Sequence, residues 1–287
     1  MDGILREIVE HKRLEVAEAK ARTPFAELES QVMQAEPARN FFGAVSQHPD
    51  PFHISVIAEI KRKSPSAGWI RPEYERLASP GKGVAEGGFD PAVIARRYYQ
   101  NGAAAISCLT DSAYFGGHLS FIERIREAVP LPVLRKDFII DPWQLWESRA
   151  AGADAVLLIA ECLTISQILD MLILGQRLRL TVLLEVHSVE SLLRVRPHVG
   201  FPHPSYFLLG INNRDLERQV VDINHTLRLL DMVEDKSVLV SESGIKTAKD
   251  ALWLRHHGVR ILLVGEHLMR ADDPGVALAE LLGREPG

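Results

Sequence analysis

From residue 54 onward, short apolar, β-branched runs recur at a regular beat. They start near residues 56 (VIAEI), 104 (AAISCL), 132 (PVLRKDF), 154 (DAVLLIA), 181 (TVLLEV), 206 (YFLLGI), 238 (VLVSES) and 260 (RILLVG). Helix-like segments separate them: Pro91–Asn101, Leu119–Ala128, Pro142–Ala151, Thr164–Arg179, Val189–Arg194, Asn224–Met232, Thr247–His257 and Pro274–Leu282. Asp90-Pro91, Asp141-Pro142 and Asp273-Pro274 are helix-start signals, a capping side chain before a proline that needs no N–H. Asn101-Gly102-Ala103, Ala151-Gly152-Ala153 and His257-Gly258-Val259 are helix-end signals, with glycine free to turn left-handed.

Strands apolar on both faces need cover on both sides, which implies a parallel sheet wrapped by helices. Eight such units close an α/β cylinder, a (β/α)8 TIM barrel, and residues 54–287 suit one in length. A doubly wound open sheet would want a glycine-rich phosphate loop after its first strand. That position reads KRKSPSAG instead. Residues 1–53 are then an N-terminal helical extension: a charged helix over 1–22, a mixed stretch over 24–53, and a short helix near Asn40–Ser46. The segment Gly68–Gly88 reads as a long loop, with Pro72, Pro80 and four glycines between 81 and 88.

Composition narrows the function. Apolar residues make up 46% and charged residues 25% of the 287, so the chain buries an ordinary core. With 33 basic and 38 acidic side chains the net charge is −5, which argues against a nucleic-acid partner. Cys108 and Cys162 are too few for a disulfide framework and read as reduced thiols of a cytoplasmic protein. The first 20 residues carry charges throughout and do not read as a signal peptide, and no apolar run nears the roughly 20 residues of a membrane span. Eleven histidines show no HExxH spacing, so no metal site is expected. The His256-His257 pair reads as helix-dipole chemistry. Trp143 and Trp146 read as a helix face against the barrel.

The polar residues of the apolar runs gather at their C-terminal ends, which in a barrel form the mouth. The first run ends in Glu59 and Lys61, two apart and so pointing the same way. The third ends Arg135-Lys136-Asp137, the fifth in Glu185, the sixth in Asn212 and Arg214, the seventh in Ser241-Glu242-Ser243-Gly244 and the eighth in Gly265. Any one of these alone reads as a solvated loop residue or a helix-cap neighbour. Together they put ammonium and carboxylate groups on one rim, where mixed charges tune acid–base chemistry. The turns after the seventh and eighth runs, with a short helix over Glu266–Arg270, form the corner where barrels often hold phosphate. Ser64 sits in a turn beside the rim, and Phe115 and Phe138 are placed to wall a pocket.

The stretches VIAEIKRKSPSAG (56–68), LTDSAYFGG (109–117), VLRKDFI (133–139), LLEVHS (183–188), LGINNRDL (209–216), VSESGI (240–245) and LVGEHLMR (263–270) together resemble the indole-3-glycerol-phosphate synthase family of tryptophan biosynthesis. The resemblance covers nearly the whole chain, and ILREIVEHKRLEVAEAK resembles that family's N-terminal extension. It implies closure of 1-(2-carboxyphenylamino)-1-deoxyribulose 5-phosphate onto its ketone carbon, then loss of CO₂ and water, without a cofactor. By resemblance, Lys136 is the general acid of ring closure, and Lys61 holds the substrate carboxylate and serves as a second proton donor. Glu185 is the general acid/base of dehydration, and Glu59 and Asn212 orient the substrate. Glu242 lies beside the catalytic lysine. Ser64, Arg214, Ser243, Gly244 and Gly265 match substrate- or phosphate-holding positions, and Phe115 and Phe138 the aromatic walls.

Two positions depart from the family pattern. Glu266 stands where a hydroxyl residue suits phosphate better, so only its backbone N–H is expected to help. The segment Ile70–Gly87 is longer than the family's usual loop. The expected partner is a small phosphorylated molecule, with no nucleic acid and no membrane. A monomer is expected, with a weak homo-oligomer as the other option. Competing readings are an isomerase such as phosphoribosylanthranilate isomerase, a Schiff-base aldolase built on Lys136, and a non-catalytic phosphosugar-binding barrel.

Overall fold

In the computed structural model, which describes residues 3–50, 52–78, 88–215 and 220–287, eight parallel strands close on themselves. Strand β1 (Ser55–Ile60) is followed by a two-stranded hairpin, β2 (Lys63–Ser64) and β3 (Gly68–Trp69). The cylinder continues with β4 (Ala105–Leu109), β5 (Val133–Lys136), β6 (Ala155–Ile159), β7 (Thr181–Val186), β8 (Phe207–Asn212), β9 (Leu239–Glu242) and β10 (Ile261–Val264). Strand β1 pairs with both β4 and β10, so the first and last barrel strands seal the sheet. The eight runs legible in the sequence are these eight strands.

Alternation along each strand divides the core in two. Val56, Ala58 and Ile60 of β1 face outward into the layer between strands and helices. Ile57 faces inward with Leu134, Leu157, Leu183, Leu208 and Leu263, filling the cylinder. The helix-start signals act as read. Asp90, Asp141 and Asp273 accept from the backbone N–H of Ala92, Trp143 and Gly275 at 2.9, 2.9 and 2.8 Å, starting α4 (Pro91–Gln100), α6 (Pro142–Ala150) and α12 (Pro274–Leu281). Gly102, Gly152 and Gly258 have φ of +89°, +88° and +93°, ending α4, α6 and α10 (Ala248–His256) in the left-handed region. The rest of the outer layer is α5 (Phe121–Ala128), α7 (Ile165–Arg177), α8 (Val189–Val195), α9 (Asn224–Leu229) and α11 (Glu266–Arg270).

The extension runs along the barrel from mouth to base. Helix α1 (Gly3–Arg22) lies across the loops that follow β4 and β5. Its Lys12 is buried, with Nζ 2.8 Å from Asp111 and 2.9 Å from Asp137. Helix α2 (Phe25–Gln34) packs on α6 and went unread in the sequence; only Leu28 of its ten residues is buried. Trp146 meets Phe25 of this helix edge-on at 5.1 Å, so the extension as well as the barrel receives that aromatic face. Helix α3 (Phe41–Ser46), capped by Asn40, inserts Phe41, Phe42 and Val45 beneath the inner core and plugs the base.

The long loop after β1 is anchored at both ends. Arg62 donates to the carbonyls of Tyr74, Glu75 and Gly116 and lies over the Trp69 and Phe89 rings. The backbone N–H of Ala78 donates to the Phe89 carbonyl at 3.0 Å. Residues 79–87, the second half of the Ile70–Gly87 segment expected to be long, lie outside the described residues. Among the described residues, no helix is long and apolar enough to cross a membrane.

Candidate active site

A cavity of about 660 Å³ opens at the C-terminal ends of the strands. That size and place suit a sugar-phosphate carrying an aromatic ring. Strand geometry decides what reaches it. Residues two apart share a side, so the inward apolar positions Ile57, Leu134 and Leu183 are followed one step up by Glu59, Lys136 and Glu185. The inner wall thus changes from apolar to ionisable within one layer.

Lys136 is the hub. Its Nζ donates to Glu185 Oε2 at 2.9 Å and to Glu242 Oε2 at 2.8 Å. Asn212 Nδ2 donates to Glu185 Oε1 at 3.2 Å, and Lys61 Nζ to Glu59 Oε1 at 2.6 Å. Two glycines make room for these carboxylates. A Cβ on Gly210 would overlap Glu242 Oε1, and one on Gly265 would overlap Glu59 Oε1. No side chain larger than hydrogen fits either place without displacing the acid.

Burial sets the proton states. Burial alone would lower the Lys136 ammonium, but Glu185, Glu242 and Glu59 outweigh it and hold the lysine well above its ordinary value. Burial would raise Glu185, but Lys136 and then His187 hold it well below the usual carboxylate range. Glu242 goes the other way, raised by burial and by the charge of Glu185 beside it. One cation therefore sits between an ionised carboxylate and one disposed to keep its proton.

The opposite side is a backbone corner. Ser243 and Gly244 both have positive φ, +67° and +82°, a strained turn for the serine. Asn213, buried, donates to the Ser243 carbonyl at 3.1 Å and accepts from the Thr226 N–H at 2.9 Å, pinning this turn from behind. Gly265 precedes the single turn of α11. Arg214 reaches into the corner, donating to Ser66 Oγ at 3.2 Å and to Glu266 Oε2 at 3.1 Å. The Glu266 carboxylate also accepts from Arg270 Nε at 3.1 Å. The negative charge next to Gly265 is thereby taken up by two arginines.

Of the expected site residues, Glu59, Lys61, Phe115, Lys136, Phe138, Glu185, Asn212, Arg214, Glu242, Ser243, Gly244, Gly265 and Glu266 all line this cavity. Phe115 and Phe138 stand 6.1 Å apart at 37°, an aromatic wall. Ser64 does not line it; its hydroxyl accepts from the Ala67 N–H at 3.2 Å in the β2–β3 turn, and Ser66 takes the wall position. The sequence placed Asp137 on the rim without a role and did not single out His187. Both line the cavity. The spacing of His187 two residues after Glu185 was the available signal.

A family model for indole-3-glycerol phosphate synthase matches residues 5–78 and 73–281. The chain is 44% identical over 281 residues to the indole-3-glycerol phosphate synthase of Acidithiobacillus ferrooxidans, spanning 98% of this chain and 99% of that one. The chain belongs to the indole-3-glycerol phosphate synthase family. The family's protein from Rhodospirillum rubrum is 42% identical over 283 residues, 99% of this chain and 100% of the relative. Among solved structures, 3-hexulose-6-phosphate synthase from Salmonella typhimurium superposes with a TM-score of 0.59 at 15% identity, covering 80% of this chain and 97% of that one. At that identity it shows the barrel fold and nothing more. The indole-3-glycerol phosphate synthase assignment thus rests on full-length sequence likeness.

Proposed function

We propose that this protein converts 1-(2-carboxyphenylamino)-1-deoxyribulose 5-phosphate into indole-3-glycerol phosphate, CO₂ and water. The observation that carries the reading is Lys136 held between Glu185 and Glu242, across one cavity from the Lys61–Glu59 pair. An ammonium in a dry, acidic setting is a positioned proton donor. In this reading Lys136 protonates the ketone oxygen as the ring carbon attacks. Lys61 meets the aromatic carboxylate until CO₂ leaves. Glu185, ionised at the outset, accepts the proton released on aromatisation, and a neighbouring acid protonates the departing hydroxyl. Glu59 and Asn212 orient these groups. Phe115 and Phe138 flank the anthranilate ring.

The phosphate goes to the corner formed by Ser243, Gly244, Gly265 and Arg214. Left-handed backbone there favours N–H groups over side chains as ligands. Ser64 supports this corner through the turn that carries Ser66. Schiff-base chemistry at Lys136 is disfavoured, because an amine nucleophile needs a lowered pKa and this lysine's is raised.

The same reading takes residues 1–53 as an extension of the 54–287 barrel, and the protein as a cytoplasmic monomer acting without cofactor or metal. Fluorescence of indole-3-glycerol phosphate formed from the carboxyphenylamino substrate tests the activity. No product at millimolar substrate sinks it.

A further inference from the structure

His187 is a half-buried imidazole wedged between two carboxylates, and the reaction as read above gives it no task. It follows Glu185 by two residues, so both rise on the inner side of β7. Its Nδ1 lies 3.2 Å from Glu161 Oε2, and its Nε2 lies 3.1 Å from Glu185 Oε1. The second contact lacks hydrogen-bond geometry and is an ion pair when the ring is protonated. Glu161 sits in the single turn Ala160–Cys162 that closes β6. Its other oxygen, Oε1, accepts from the His187 backbone N–H at 2.9 Å. Glu161 therefore holds the ring and the main chain together, and it is not among the residues that line the cavity.

Every oxygen of Glu185 is then accounted for. Oε2 takes Lys136, and Oε1 faces both Asn212 and His187. We propose that His187, clamped by Glu161, is a positioning residue that fixes the Glu185 carboxylate and holds it ready as the base until it takes the proton released on aromatisation.

The charges around the pair agree. Lys136 from β5 and His187 favour the anion, as does a hydrogen bond from Glu242 of β9, which Glu185 in turn disposes to keep its proton. Asn212 from β8 donates to it, Glu59 from β1 acts on Lys136, and His225 of α9 lies beside His187 with its own ring pushed below its ordinary value, mainly by burial. Burial alone would lower the His187 ring, but Glu161 and then Glu185 outweigh this and push it up to about 10. The imidazolium is thus a fixed charge at neutral pH and not a proton shuttle.

The inference rests on the role proposed for Glu185, and its test separates the two. In the full-length protein, His187→Gln is expected to lower kcat roughly 10- to 100-fold and leave KM within about threefold. The acid limb of the kcat–pH profile is expected to move up by about one unit or more, because Glu185 loses the cation that keeps it ionised. Glu161→Gln should move the limb the same way by less. The double variant should be no worse than His187→Gln. A fall in kcat with an unmoved limb, or a rise in KM alone, overturns the proposal. Nitrogen-15 NMR of the wild-type histidines reads the charge without turnover. His187 should stay protonated through pH 8, and titration below pH 7 overturns the proposal even if His187→Gln fails to fold. Wild-type protein that makes no indole-3-glycerol phosphate would instead sink the role of Glu185.

Discussion

Gly265 and Glu59 share one space: a methyl group on the glycine would occupy the position of the glutamate carboxylate. The same holds for Gly210 and Glu242. These glycines, one within β8 and one just past β10, serve as sockets for buried acids. Gly265→Ala and Gly210→Ala are each expected to lower kcat at least about tenfold and to cost about 1–3 kcal/mol of stability, the usual penalty for overpacking. Steady-state kinetics and thermal denaturation check both figures. Unchanged kcat would mean the carboxylates move aside freely.

Removing the hub cation should separate chemistry from folding. Lys136→Met is expected to cut turnover by roughly 10²-fold or more. It also removes the cation that Glu185 and Glu242 share and leaves only His187 beside Glu185, so both pKa values should rise, and that of Glu242, already raised, should move further above its unfolded value. A carboxylate raised in the folded state favours folding as pH falls. The variant should therefore gain stability from pH 8 to pH 5, relative to wild type over the same range. Denaturation at the two pH values decides it. Turnover within a few-fold of wild type would remove Lys136 from the acid role.

Lys12 tests the joint between extension and mouth. Burial would raise Asp137, but Arg135 and Lys12 hold it far below its ordinary value. A depressed carboxylate contributes stability above its unfolded pKa of about 3.9, and that contribution is lost as pH falls below it. Wild-type Tm should thus drop steeply below about pH 4. Lys12→Met strands Asp111 and Asp137 near one another and is expected to cost about 3–5 kcal/mol at neutral pH. Its Tm should change less between pH 6 and pH 3 than that of wild type. An equally steep acid slope in the variant would mean that Lys12 contributes little.

Glu266 is a carboxylate set against the phosphate corner. With Arg214 and Arg270 engaged on it, a dianion must compete for the same guanidinium groups. Glu266→Ser is expected to tighten inhibition by inorganic phosphate about three- to tenfold, through loss of like charge and release of Arg214. Weaker phosphate inhibition would show that Glu266 instead holds Arg214 in its binding pose.

The barrel was legible because its signals are local. Asp-Pro starts open α4, α6 and α12, glycine ends close α4, α6 and α10, and strands buried on both faces read as unbroken apolar runs. Helix α2 was not read, although Phe25, Leu28 and Val32 recur in it at helical spacing. The rim residues were legible from their place at strand ends. What they touch was not. Lys12 meets Asp111 and Asp137 across about a hundred residues of sequence, and Glu161 reaches His187 from the neighbouring strand, contacts that no spacing encodes. Ser64 and Ser66 show the finer failure. Both fit a turn near the rim, and only the hairpin register decides which one faces the cavity.

The plug beneath the barrel has a consequence for how the protein is made. Phe41 and Phe42 leave the ribosome early, yet the ring of strands that covers them is complete only when β10 joins β1 more than two hundred residues later. Translation at about 5–20 residues per second leaves that aromatic segment uncovered for on the order of ten seconds or more. The nascent chain thus carries its stickiest exposed surface at its leading end, where a holding chaperone would meet it first.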